Sequence, residues 1–333
     1  MLFFDAVLAA LAWLGRQGTR ALALSVFVGI ALPPLAAVLK NVFVEALLVL
    51  LLLAFLRVDP GMLFRHFRRP GLIIAASLWT LLGVPMILCG SAIALGLPQV
   101  SQAIFLALVL QAVAPPVIGS PALAALLGLD AALSLATLII ATAATPLTVP
   151  MLATFFVGPA LEISPLSLGA KLLAMLGATA LSAFAIRWLK GSAFVARHSG
   201  PIDGLSVVAL FVFAIGLMDG VGWRILTEPL LVATLTVFAF ALSAILIVTT
   251  CLIFHRAGRS AALALGLAVG SRNMGLMVAA AGGAVPELTW LYFAVAQFPI
   301  YTLPHLLRPL VHRWVGPGLL PAGDSGVRPT PDP

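Results

Sequence analysis

Charge is scarce in this chain. Asp, Glu, Lys and Arg together make up 9% of its 333 residues, while 62% are hydrophobic. A soluble domain carries roughly a quarter of its residues as charges to keep its surface wet. This chain cannot build that surface, and a mean hydropathy of +1.18 puts it in a bilayer. Cysteine is nearly absent too. Cys89 and Cys251 stand alone in apolar stretches, which excludes a disulfide framework or a thiolate metal site. Histidine is sparse and scattered: His198 and His255 fall in loops, and His305 and His312 near the end of the last apolar run. Carboxylates are missing from mid-span positions. An intramembrane enzyme would need paired carboxylates, a zinc ligand set or an activated Ser or Cys, so no enzyme and no metal or organic cofactor is expected. Alternating apolar strands are also lacking, which excludes a β-barrel.

What is there is a series of long apolar runs. Read against turn and charge signals, they predict about ten spans. The spans fall at about 21–37, 42–57, 71–96, 101–128, 130–157, 166–189, 202–220, 229–254, 259–283 and 287–311. Residues 1–20 read as an interfacial segment, 21–313 as a transporter domain and 314–333 as a Pro- and Gly-rich disordered cytoplasmic tail. The net charge of +7 sits in loops, so it reports membrane orientation rather than a nucleic-acid partner. One side collects Arg16, Arg20, Arg57, Arg65, Arg68, Arg69, Arg187, Lys190, Arg197, Arg256, Arg259, Arg308, Arg313 and Arg328; the other collects Lys40, Lys171 and Arg224. This asymmetry predicts both termini in the cytoplasm. Ten spans with both ends inside divide as five plus five. Five is odd, so the second half enters inverted. The expected fold class is an all-α membrane protein with a 5+5 inverted repeat.

Spans 4 and 9 occupy matching places in the two halves, and both are interrupted. In span 4, Pro115 and Pro116 remove two backbone donors. Gly119, Ser120 and Pro121 can restart a half-helix, with Ser120 as its cap. In span 9, Gly270 allows a non-helical turn, Ser271 and Arg272 follow, Asn273 can cap the next half-helix, and Gly275 sits in its first turn. An arginine in mid-span costs about 2.5–3.5 kcal/mol, and no Asp or Glu is predicted beside it. Two readings stand. Arg272 contacts a substrate, or it is a structural charge bonded to the carbonyl ends of the broken helices. Half-helix N-termini suit an anion, and paired interruptions point to the binding site of a secondary transporter. Candidate substrate contacts are therefore Arg272, Asn273, Ser271, Gly270, Ser120, Gly119, Gln111 and Tyr301. Ser134, Thr137, Thr145 and Thr148 share roughly one face of span 5, where hydroxyls line a site or simply join helices. Asp130 reads as a helix cap, and Gln297 is a further polar group in span 10.

The stretches APPVIGSPALAALLGLDAALSLATLIIATAATPLTVPML and LGLAVGSRNMGLMVAA resemble the bile acid:sodium symporter family, and the span pattern fits it over about residues 20–313. Auxin-efflux-type carriers share broken fourth and ninth spans. The resemblance implies a core of spans 3, 4, 5, 8, 9 and 10, a panel of spans 1, 2, 6 and 7, crossing of spans 4 and 9 at their breaks, and rocking of panel against core. It also implies sodium-site positions at Ser120, Ser134, Thr80, Ala268 and Arg272. Here the chain departs from the family. Pro121 stands where an Asn is usual, Ala268 replaces a Glu, Arg272 replaces a Gln, and a family hydroxyl falls on Leu138. The implied function is a secondary transporter of a small organic anion in a bacterial inner membrane, with weak or no sodium coupling. Sodium-coupled symport within the same family, an auxin-efflux-type carrier, and a channel or sensor on the same fold are the alternatives. A channel would need a continuous polar pore lining, which the sequence does not offer. Apart from the substrate and the lipid bilayer, no oligomeric or other partner is legible.

Overall fold

The computed structural model describes residues 9–11, 13, 18–58, 69–158, 163–282 and 285–315. Most of the 1–20 segment, the tail beyond Val315, and Arg65 and Arg68 lie outside these residues. Every regular element among them is a helix. Apart from the short helices Leu97–Val100, Ser192–Arg197 and His255–Ala257, these are in order α1 (Gly18–Ala31), α2 (Pro33–Lys40), α3 (Phe43–Arg57), α4 (Pro70–Ala94), α5 (Gln102–Val113), α6 (Ser120–Leu126), α7 (Ala131–Val157), α8 (Pro165–Lys190), α9 (Ser199–Leu217), α10 (Val221–Thr227), α11 (Pro229–Ile253), α12 (Arg259–Gly270), α13 (Met274–Ala281), α14 (Glu287–Val295) and α15 (Gln297–Val315).

Five continuous segments are long and apolar enough to cross a membrane: Pro70–Ala94, Ala131–Val157, Pro165–Lys190, Ser199–Thr227 and Pro229–Ile253. They mark a membrane-embedded protein. The exposed side chains agree. Leu147, Met151 and Phe155 present one bare apolar stripe of α7, and Val237, Ile245, Val248 and Leu252 another on α11. Contiguous apolar surface of this kind is not left facing water.

Local chemistry sets the helix ends. Proline opens α2, α4, α8 and α11, where its missing N–H costs nothing. Asp130 caps α7 by accepting from the Leu133 N–H at 2.9 Å, as its position suggested. Ser101 and Ser164 cap α5 and α8 in the same way. Pro146 and Pro150 interrupt the hydrogen-bond ladder inside α7 without ending it. Thr145 and Thr148 donate to the carbonyls of Ala141 and Ala144 in their own helix. Span 1 differs from expectation. The helix stops at Ala31 and restarts at Pro33, because Leu32 before the proline is driven out of helical geometry (φ −122°, ψ 72°). α2 and α3 then meet at 68°. The last helix runs through Trp314 and Val315, two residues into the predicted tail.

Packing divides the helices. One apolar cluster joins Leu53 and Leu56 of α3, Ala183 of α8 and Ile202 of α9. Two others draw only on the remaining helices. One brings together Ala124, Ile247, Leu263 and Val311; the second joins Ile73, Leu133 and Leu265. A larger cluster, containing Phe43, Val113, Phe213, Met274 and Tyr292, holds the two groups together.

Candidate functional site

α5 and α12 each have 12 residues, or about 18 Å at 1.5 Å per residue. Neither can cross a hydrocarbon layer of about 30 Å alone. Each is followed by a break and then by a short helix, α6 or α13. The two breaks meet through their backbones. Val117 N–H donates to Ser271 O, and Asn273 N–H donates to Pro115 O, both at 2.8 Å. Pro116 and Arg272 thus face each other as one antiparallel pair. This is the non-hydrogen-bonded kind, in which the facing residues exchange no bond and their neighbours bond instead. Proline fits there because its absent N–H has no partner to miss.

Arg272 is 1% exposed. Its Nε donates to Val269 O at 2.9 Å, and Nη1 donates to Ala114 O at 2.7 Å. Nη1 and Nη2 also reach Thr80 O at 3.3 and 3.4 Å. Among the described residues it has no ion-pair partner. The structural reading of this arginine is thus realised: its charge faces the carbonyl ends of α5 and α12, where helix dipoles are negative.

Each of these three carbonyls is free for a definite reason. Ala114 O belongs to the C-cap of α5, past which the chain is extended (φ −61°, ψ 145°). Val269 O would take the Asn273 N–H in a continuing helix, but that donor crosses to Pro115. Thr80 lies in a π-helical turn, Trp79–Gly83, where Val84 N–H bonds Trp79 O. The same register offers Thr80 O only the nitrogen of Pro85, which carries no hydrogen.

The other predicted residues divide. Asn273 caps α13, its Oδ1 accepting from the Leu276 N–H at 3.3 Å. Ser120 does not cap α6. Gly119 holds that position with no side-chain bond, and the buried Ser120 hydroxyl faces that of Ser134 at a long 3.5 Å. Pro121 lies in the first turn of α6, as expected. Gly270 is not needed for an unusual turn. It ends α12 in helical geometry and is glycine for space, since a Cβ would stand 2.5 Å from Ile247 Cγ1 and 3.1 Å from Ser243 O. Gly275 is similar, with Phe213 Cζ 2.5 Å from where its Cβ would be. Gly119 is exposed with open space around it. Gln111 is buried and accepts the hydroxyl hydrogen of Tyr292, tying α5 to α14. Gln297 Nε2 donates to Phe293 O at 3.2 Å, joining the start of α15 to the end of α14. Tyr301 is half-buried on α15, packed against the large apolar cluster, with no hydrogen bond to either break among the described residues.

Three features went unread in the sequence. One is Tyr292, one of only two tyrosines in the chain, whose rarity was the available signal. Another is the pair of rings Phe43 and Phe213, stacked with centroids 5.1 Å apart. The third is a cavity of about 790 Å³, walled on one side by Lys40, Phe43 and Arg224 and on the other by Val278, Glu287 and Trp290. Lys40 pairs with Asp219 at 2.9 Å and sits 4.7 Å over the Trp290 ring; Arg224 pairs with Glu228 and with Glu287 at 2.7 and 2.8 Å. Phe43 lines the cavity, and Phe213 touches Gly275. The stacked pair thus links a cavity-lining ring to the glycine of the second break.

The residues at the implied sodium positions do not suit sodium. That ion needs several oxygen ligands free to converge on it. Ala268 offers a methyl group, Ser120 and Ser134 offer neutral hydroxyls, and the Thr80 and Ala114 carbonyls already accept from Arg272. Two like charges about 4 Å apart at an effective dielectric near 20 repel by about 4 kcal/mol, roughly a thousandfold in occupancy. No protein-family model matches the chain, and no curated protein shows significant similarity to it.

Proposed function

We propose that this chain is a secondary transporter that moves a small organic anion across a bacterial inner membrane by alternating access, with weak or no coupling to sodium. In this reading α5–α6 and α12–α13 are spans 4 and 9 of a ten-span, 5+5 inverted repeat, crossing at their breaks, with both termini cytoplasmic. The observation that carries it is the backbone pair between Pro116 and Arg272. Non-helical backbone inside a membrane protein persists where it is buried or lines a cavity, and two meeting half-helix junctions mark carrier sites.

Three further features support the proposal. α4 and α11, which precede the broken helices, have 25 residues each, and α5 and α12 have 12 each. The halves are thus alike in layout. The smaller apolar clusters separate α3, α8 and α9 from α4, α7, α11 and α12, which suits a panel moving against a core. The cavity is lined from α2, α3, α10, α13 and α14 and falls within the volume range of small-molecule sites. Arg272 and its neighbours Ser271 and Gly270, with Asn273, Ser120, Gly119, Gln111 and Tyr301, remain the proposed substrate positions. Anion preference rests on the arginine's charge, which no carboxylate among the described residues neutralises.

The test is flux in liposomes reconstituted with the full chain. A panel of labelled carboxylates and sulfonates should include at least one taken up saturably and exchanged against itself. Non-saturating ionic current would favour a channel, and no flux with any member of a broad panel would count against a carrier.

A further inference from the structure

We infer that the Arg272 guanidinium is a built-in replacement for a bound cation: the helix junction forms a three-carbonyl cation site whose permanent occupant is this side chain, so the protein takes up no free metal ion there. The inference deepens the carrier reading, since it concerns that carrier's ion dependence, but it stands on geometry of its own.

Three backbone carbonyls, from α4, α5 and α12, converge on one group at 2.7–3.4 Å. Each has lost its helical donor through a separate event: Pro85 in the π turn, the end of α5 before Pro115, and the diversion of the Asn273 N–H across the break. Buried carbonyls need a partner. A converging set of oxygens without N–H donors is the environment that hard cations select. Arginine meets the same demand with a planar array of five donors and a charge that is never lost. The occupant is covalently held, so it cannot be released on one side of the membrane and rebound on the other. It can neutralise the helix ends at every stage of a transport cycle, but it cannot carry the energy of an ion gradient.

The consequence is testable without a substrate. Purified full-length protein in detergent is melted in sodium chloride and in choline chloride at equal ionic strength. The native chain should melt at the same temperature in both. A sodium-specific rise in its midpoint would overturn the inference. Arg272→Ala empties the site, so its midpoint should fall in choline and recover in part with sodium or with millimolar guanidinium, neither of which helps the native chain. If Arg272→Ala does not fold in any salt, Arg272→Gln and Arg272→Lys decide the matter. The glutamine variant, which has amide donors but no charge, should gain a sodium response, and the lysine variant should remain indifferent. A glutamine variant that melts like the native chain in choline and ignores sodium overturns the inference. Because melting is the readout, failure here differs from failure of the carrier reading, which would show as absent flux with the melting pattern intact.

Discussion

The two helix breaks do the same thing by opposite means. The first, at residues 114–119, is made by removal: Pro115 and Pro116 bring no N–H, and its carbonyls are left open. The second, at residues 271–273, is made by supply. Arg272 brings a cation, Asn273 brings a cap and a backbone donor, and Ser271 brings an acceptor. The backbone pairing is reciprocal, with each break donating once and accepting once, while the side-chain donation to the first break's carbonyl comes from Arg272 of the second. The glycines follow the same contrast. Gly119 stands in open space, whereas Gly270 and Gly275 are pressed against Ile247 and Phe213. Two breaks that meet need not hold the same residues. They need to hold complementary ones.

The strongest way to break this comparison is to remove the supplied donors. Arg272→Met keeps much of the side chain's length and apolar stem but leaves three buried carbonyls unpaired. At about 1–3 kcal/mol for each unsatisfied buried group, less some relaxation, the expected loss is about 3–5 kcal/mol. It should appear as a sharply lower melting temperature or as loss of the monodisperse protein in size-exclusion chromatography. A variant as stable as the native chain would mean that the carbonyls find other partners and that the second break supplies nothing essential.

The positions of both breaks were legible from the sequence, because proline pairs and a mid-span arginine are local signals. The Asn273 cap and the Asp130 cap were legible for the same reason: a cap is decided within four residues. The five long helices followed from hydropathy alone. What was not legible depended on partners distant in sequence. Ser120 looks like a cap until the chain places Gly119 there instead. Gly270 looks like a turn residue until Ile247 is seen against it. Thr80 was marked by its hydroxyl, but its carbonyl is what matters, released by a π turn and by Pro85 that no periodicity announces. The cavity arises where α2, α3, α10, α13 and α14 converge, and no run of sequence encodes that meeting.

A second test sharpens the contrast in packing. Gly275→Ala puts a methyl group against the Phe213 ring. Overpacking of this kind costs typically about 1–3 kcal/mol, so melting should fall measurably. Shortening the ring in the double variant Gly275→Ala with Phe213→Leu should recover part of the loss, and the double-mutant coupling reports it. Additive effects would show that the ring is free to move away and that the second break is less tightly held than its geometry suggests.

A third test compares caps. Asn273→Ala removes the side-chain acceptor for Leu276 N–H and should cost about 1 kcal/mol, the usual value for a lost N-cap. Ser120→Ala should cost less, because that hydroxyl caps nothing and its approach to Ser134 is at the limit of hydrogen bonding. Paired melting curves rank the two. The reverse order would mean that Ser120 is the functional cap of α6 and that the two half-helices are more alike than they look.

The smallest expected effect completes the comparison. Gly119 has an ordinary helical φ of −73° and no atom within 4 Å of where a Cβ would be. Gly119→Ala therefore meets neither backbone strain nor a clash. It also lowers the entropy of the unfolded chain, a gain of about 0.4–1 kcal/mol where the native backbone accepts alanine. Stability should stay level or rise slightly, in contrast to the loss at Gly275. The contrast then allows a functional use of the variant. A protein that melts normally but has lost substrate flux would point to the open space at Gly119 as room for the substrate at the first break. Flux unchanged within a factor of two would take Gly119 off the list of substrate positions and leave the chemistry to the donors of the second break.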